Sequence, residues 1–208
     1  MSELRTSFLQ VETKTGRSFG GNQAWFAYPF LKKSGCGVIS AANLLLYMKN
    51  KQCVTEKEYM DFARQIWLQY FPVVPGFGMN GLILMLGLNR YFYKNGMPQR
   101  AYWKISGRGL WNAVDKMLSK DIPVILAVGP NFPKMWKKEK LSLYTKSMNG
   151  NYVAVSKVHA HYVTVTARHG LWLQISSWGK QYFINIEEYR AYVKKHSSYL
   201  LSNIIFIK

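Results

Sequence analysis

Gly35-Cys36-Gly37-Val38-Ile39-Ser40, running straight into Ala41-Ala42-Asn43-Leu44-Leu45-Leu46-Tyr47-Met48, decides how the rest of the chain is read. It sets a cysteine at the start of an apolar helix predicted over 36–49. A thiol there faces the unpaired N–H groups and the positive end of the helix dipole, which favour the thiolate. The thiolate, not the thiol, is the nucleophile. The flanking glycines leave room for a substrate backbone. Taken alone, a cysteine in such a setting is more often a buried structural side chain. The far end of the chain shifts that balance.

There, Val158-His159-Ala160-His161-Tyr162-Val163-Thr164-Val165-Thr166 is β-branched and alternating, and Leu171-Trp172-Leu173-Gln174-Ile175 is a short apolar strand ending in Ser176-Ser177-Trp178-Gly179. Arg168-His169-Gly170 between them reads as a tight hairpin turn. A histidine opening the first strand can then meet the Ser-Ser-Trp-Gly that closes the second. An early Cys with a His more than a hundred residues later is the order of a cysteine nucleophile and its base. His161 is preferred because the alternation starts directly after it, with His159 the competing candidate.

These segments resemble the papain-like cysteine peptidases, and most of all the branch of bacteriocin leader-processing (double-glycine, C39-like) peptidases of bacteria. Cys36-Gly37 is similar to the nucleophile motif, and His161-Tyr162-Val163-Thr164-Val165 to the base. Ser176-Ser177-Trp178-Gly179 stands where the family has Asn-Ser-Trp-Gly or Asp-Pro-Trp-Gly, and Ile186-Glu187-Glu188-Tyr189 resembles the lead into a closing helix. The resemblance implies a cysteine hydrolase acting on a peptide or amide bond through a thioester, without a cofactor. Cys36 would be the nucleophile, His161 the base, Ser176 the group that orients the imidazole, and Gln23 the oxyanion donor. Two positions depart from the pattern. Ser176 replaces Asn or Asp, and its short neutral hydroxyl orients and stabilises an imidazolium less firmly. Gln23 lies thirteen positions before Cys36, so only an inserted segment through Ala24–Phe30 could return it, with Asn22 as its substitute. Both departures also suit a catalytically inactive relative that binds a peptide or an anionic partner in the old cleft.

Composition bounds the remainder. The chain has 208 residues, 49% apolar and 15% aromatic, enough for the substantial core of one domain spanning 1–208. No run of eighteen apolar residues argues for a membrane span. Met1-Ser2-Glu3-Leu4-Arg5-Thr6 has no basic patch leading into an apolar stretch, which predicts no secretory signal. Cys36 and Cys53 would sit at opposite ends of one helix, on the order of 20 Å apart, whereas a disulfide needs Cα atoms within about 7 Å. Two free thiols predict a reducing compartment, most simply a bacterial cytoplasm, with Cys53 structural. Histidines 159 and 161 with a cysteine could hold a metal, but no Cys-x-x-Cys, His-Glu-x-x-His or acidic cluster supports one.

The charge is the second strong feature. Twenty-eight Lys and Arg against ten Asp and Glu give a net +18. The field of such a chain draws anionic partners: an acidic peptide, a cell-wall polymer, lipid headgroups or nucleic acid. The same balance also fits an ordinary solvated basic surface. Lys32-Lys33 stand beside Cys36, and another cluster runs from Lys134 to Lys140.

The element order predicts helices first and antiparallel strands second. Residues 1–21 read as loose and extended. Helices follow at 36–49, at 55–70 (Thr55 and Glu58 forming a capping box) and from Asn80 through Tyr93, with Leu82, Leu86 and Tyr93 among its apolar positions. A strand at 99–105, a helix at 109–120, a buried strand at 121–129 and a long basic loop over 130–151 come next. The histidine hairpin, a strand at 181–186, a helix near 187–195 and a strand at 203–208 complete the chain. The fold class is therefore α+β: an N-terminal helical half carrying the Cys helix, packed on a C-terminal antiparallel sheet.

Overall fold

The computed structural model describes every residue except Met135. In chain order the elements are β1 (Ser2–Glu3), β2 (Gln10–Thr13), β3 (Gly16–Phe19), a 3-10 turn (Gln23–Trp25), α1 (Pro29–Ser34), α2 (Cys36–Met48), β4 (Cys53–Thr55), α3 (Glu56–Tyr70) and α4 (Gly81–Lys94). Then come β5 (Ala101–Ile105), α5 (Leu110–Leu118), β6 (Val124–Val128), β7 (Leu141–Lys146), β8 (Tyr152–Val158), β9 (His161–His169), β10 (Trp172–Ser177), β11 (Lys180–Asn185), α6 (Ile186–His196) and β12 (Asn203–Ile207).

α2 is apolar on all sides, and a helix of that kind must be surrounded. Every residue from Cys36 to Tyr47 is buried. α3 leans on it, started by the expected capping box: Thr55 Oγ1 accepts from Glu58 N–H, and Glu58 accepts from Thr55 N–H at 2.8 Å. α4 begins at Asn80, whose side chain accepts from Ile83 N–H. Behind this layer stands an antiparallel sheet in the order β5-β12-β6-β9-β10-β11-β7-β8, with β1 added beside the end of β9. Ile125, Ile205 and Ile207 of the sheet join the core around α2. The opposite face, through Leu126, Val163, Leu173 and Ile184, packs on α5 and α6. The architecture is the expected α+β arrangement, with helices on both faces.

Three segments differ from expectation. Residues 1–21 are not loose: β2 and β3 form a hairpin, and β2 pairs in parallel with β4 to make a small second sheet. The basic stretch before residue 152 contains β7, hidden from composition by the lysines around it but held by buried Leu141 and Leu143. The long histidine strand is two strands. β8 ends at Val158, and the chain turns through His159 and Ala160, the latter at φ 48°, before β9 starts. His159 and His161 therefore do not share a strand face. Cys36 and Cys53 are both free, but Cys53 is exposed on β4 rather than part of the core.

Candidate active site

Cys36 opens α2 and His161 opens β9, and both line one small pocket with Gln23, Ser40, Asn43, Ser176, Ser177 and Trp178. Cys36 is the first residue of α2, where the opening amides of the helix have no intrahelical partner. Burial dominates nonetheless, and pushes the thiol above its ordinary range, so the resting sulfur is protonated. Lys32 and Lys33 are exposed and leave that balance unchanged. Burial acts the opposite way on His161, bringing its imidazole down to about 4.

The imidazole is oriented by Ser177, not by Ser176: His161 Nε2 and Ser177 Oγ are 2.8 Å apart. Strand alternation explains this correction. Ser176 pairs across the hairpin with Thr164, so the two share a face, and Asn43 Nδ2 donates to both hydroxyls. Ser176 Oγ donates to the Phe19 carbonyl at 2.7 Å. The next residue in the pleat, Ser177, points the other way, toward the histidine. The sequence held this information in parity: with 176 opposite 164, position 177 shares the side of 161. Trp178 lies against the imidazole with ring centroids 4.8 Å apart. Trp178 and Gly179, at φ 50° and 72°, form the two-residue turn between β10 and β11, where right-handed strand twist favours positive φ at both positions.

That turn also carries the N-terminal segment into the site. Phe19 N–H donates to the Gly179 carbonyl and Gly179 N–H to the Gly21 carbonyl. Gln23 thereby reaches the pocket wall. The thirteen residues separating it from Cys36 are taken up by the 3-10 turn and α1, folded compactly between them. Its side-chain amide does not face an open oxyanion site, however: Nε2 donates to the Lys32 carbonyl at 2.7 Å and to the Lys33 carbonyl at 3.3 Å. Asn22, the substitute, is occupied in capping the 3-10 turn. His159 is absent from the pocket lining.

Sequence reasoning missed Asn43. Its side chain accepts from Gly21 N–H and Tyr59 O–H while donating to Thr164 and Ser176. One amide thus ties α2, the β9–β10 hairpin and the N-terminal segment together. The only hint in the sequence was a polar residue inside an otherwise apolar helix. Gly21 is needed where this segment crosses Tyr59, since a β-carbon there would run into the phenol ring. Gly21→Ala is expected to cost about 1–3 kcal/mol through overpacking, read as a lower Tm. A Tm unchanged within error would show that the ring moves aside freely. The two serines should separate by readout. Ser177→Ala is expected to reduce kcat by about ten- to a hundred-fold with an unchanged fold, because it frees the imidazole. Ser176→Ala should instead lower stability by about 1 kcal/mol and leave kcat nearly intact.

The pocket is small, with a free volume of about 10 Å³. Over Gly37, Met79 Cε and the Tyr162 ring occupy the space a side chain would take, at 2.9 and 3.5 Å from a β-carbon. Met79 comes from the α3–α4 connection. Its knuckle is closed by backbone hydrogen bonds between Val74 and Gly78.

No protein-family model and no curated protein matches the chain. Its fold is similar to that of a solved structure from Bacillus anthracis described as a "putative C39-like peptidase", with a TM-score of 0.52 over 90% of this chain and 94% of that one, at 14% identity. The chain therefore has a C39-like peptidase fold; at that identity the likeness is one of fold.

Proposed function

We propose that the protein is a cysteine hydrolase of peptide or amide bonds, with Cys36 as nucleophile and His161 as base. The observation that carries this reading is that Cys36, at the start of α2, and His161, at the start of β9, line one pocket, with the imidazole Nε2 2.8 Å from Ser177 Oγ. With Nε2–H directed at Ser177, Nδ1 holds the lone pair that removes the thiol proton. The sulfur attacks the carbonyl carbon, and the oxyanion forms near the helix-start N–H groups. Release of the longer Gln23 bond, to Lys33, would turn a second donor toward it. His161 returns the proton to the leaving amine, leaving a thioester. Water, deprotonated by the same imidazole, then frees the acid and restores the thiol. The +18 charge favours acidic peptides among possible substrates.

The test is a peptidyl vinyl sulfone, whose alkene adds irreversibly to a positioned thiol. Adduct formation confined to Cys36, and lost in His161→Ala, is the expected result. Plain iodoacetamide should instead mark exposed Cys53 first. A second reading, an inactive relative that retains the cleft for binding, is favoured by the small pocket and by a neutral Ser176 where the family has Asn or Asp. Absence of any Cys36 adduct, with tight peptide binding unaffected by Cys36→Ala, would decide for it.

A further inference from the structure

The α4 helix is apolar on two sides. Leu84, Leu88, Tyr91 and Phe92 are buried as its core face requires. Leu82, Leu86 and Tyr93, among the apolar positions read from the sequence, are by contrast 50%, 55% and 82% exposed. They fall within about 40° of one another around the helix axis. Just before α4, Phe77 stands 84% exposed on the knuckle of the preceding loop. The other surface helices are more polar outward: α3 exposes Lys57, Asp61 and Arg64 with Leu68 the one large apolar side chain beside them, and α6 exposes Glu187, Arg190 and Lys194.

The surrounding charge is one-sided. Between Asp61 and Asp115 the chain has no carboxylate side chain, while Arg64, Arg90, Lys94, Arg100, Lys104 and Arg108 all fall within that span. Arg90 and Lys94 are exposed on α4 itself. An exposed helix face of leucines and a tyrosine, in a stretch of chain whose charged side chains are all cations, has the make-up of an interfacial helix on an anionic bilayer. The apolar side chains project from the helix and from the knuckle before it, which suits a fluid lipid boundary. No described helix is long and apolar enough to cross a membrane, so the contact is peripheral.

We propose that the outer face of α4, with Phe77, docks the protein on anionic lipid headgroups. The same loop carries Met79 against Gly37, the residue after Cys36. The inference does not rest on the hydrolase reading, and Cys36→Ser should bind membranes as the parent does.

Flotation with phosphatidylcholine vesicles, alone or with about a third phosphatidylglycerol, tests it. The protein should float with the mixed vesicles and not with phosphatidylcholine alone. The L82S/L86S pair should lower the bound fraction by about ten-fold or more, with Tm unchanged because both positions are exposed. F77S/Y93S provides an independent pair should the first disturb folding. R90E/K94E should weaken binding far more than K194E/K195E, which removes the same charge from α6 on the opposite face of the sheet. Equal loss from the two charge pairs, or undiminished flotation of both apolar pairs, would reduce the effect to the attraction of any strongly basic protein and overturn the proposal. So would a parent that never floats, including one that is dimeric by gel filtration until L82S/L86S makes it monomeric, since a second copy then covers the face. Retention on DNA that the apolar pairs abolish, without flotation, would transfer the surface to nucleic acid.

Discussion

Cys36→Ala is expected to abolish turnover, and His161→Ala to reduce it by about a thousand-fold or more, with little change in Tm for the cysteine variant. The cysteine effect is absolute because no other group in the pocket can form the thioester: its remaining lining is amide, hydroxyl, aliphatic and aromatic. The histidine effect is nearly as large because of the resting state. Burial holds the thiol protonated, so a base must act within the reaction itself. The pair should be strongly non-additive, with the double variant no slower than Cys36→Ala. A Cys36→Ala protein that keeps measurable activity would remove the nucleophile assignment. A His161→Ala protein slowed only several-fold would mean that the thiol ionises without this imidazole.

Acid should unfold this protein earlier than its few carboxylates suggest. The His161 imidazole is buried and titrates at about 4 in the fold, against about 6.5 in an unfolded chain. Its folded-state value is depressed, so the unfolded state binds the extra proton first. The associated stability is complete above about pH 6.5 and is lost as the pH falls toward 4, by on the order of 3 kcal/mol. His159, lowered by its own partial burial and by Lys140 and Lys138, adds loss in the same direction. Urea midpoints from pH 7 to pH 4 should therefore drop steeply in the parent and much less in His161→Asn, with His159→Asn as control. If the parent and His161→Asn follow the same curve, the imidazole is already charged in the fold. A thiolate–imidazolium pair would then be the resting state.

Much of this site could be read from residues alone, because its principal members sit where local rules apply. Cys36 follows from a helix start, His161 from the first residue of an alternating strand, and Trp178-Gly179 from a hairpin turn. What escaped was set by pairing between distant segments. The choice of Ser177 over Ser176 depends on which residue of β9 stands opposite Ser176, and β10 shifts register between Gln174 and Ile175. Parity in a strand is obvious; its origin is not. Gln23 returns because α1 and the 3-10 turn shorten the path, and a short helix before a longer one leaves little trace in periodicity. The outward face of α4 was not legible for another reason. Two apolar faces on one helix give a single strong helical pattern, and only neighbours reveal which face they cover.

The position of β12 has a consequence for how the molecule comes into being. This strand, synthesised after every other described element, lies inside the sheet, with Ile204 and Ile205 paired to β6 on one side and Asn203–Ile207 to β5 on the other. A growing chain that has already released Cys36, His161 and Ser177 from the ribosome still lacks the slat that joins the two parts of its sheet. Until residues 203–207 emerge, β5 has no strand partner and Ile125 lacks neighbours in the layer beneath α2. The thiol and the imidazole would then travel on an unclosed scaffold, and the chemistry would wait until residues 203–207 have emerged. Nascent chains arrested at residue 200 should accordingly be digested rapidly and resist labelling by the vinyl sulfone. Arrest well beyond residue 208, with the whole sheet outside the exit tunnel, should give protease-resistant and labelled protein.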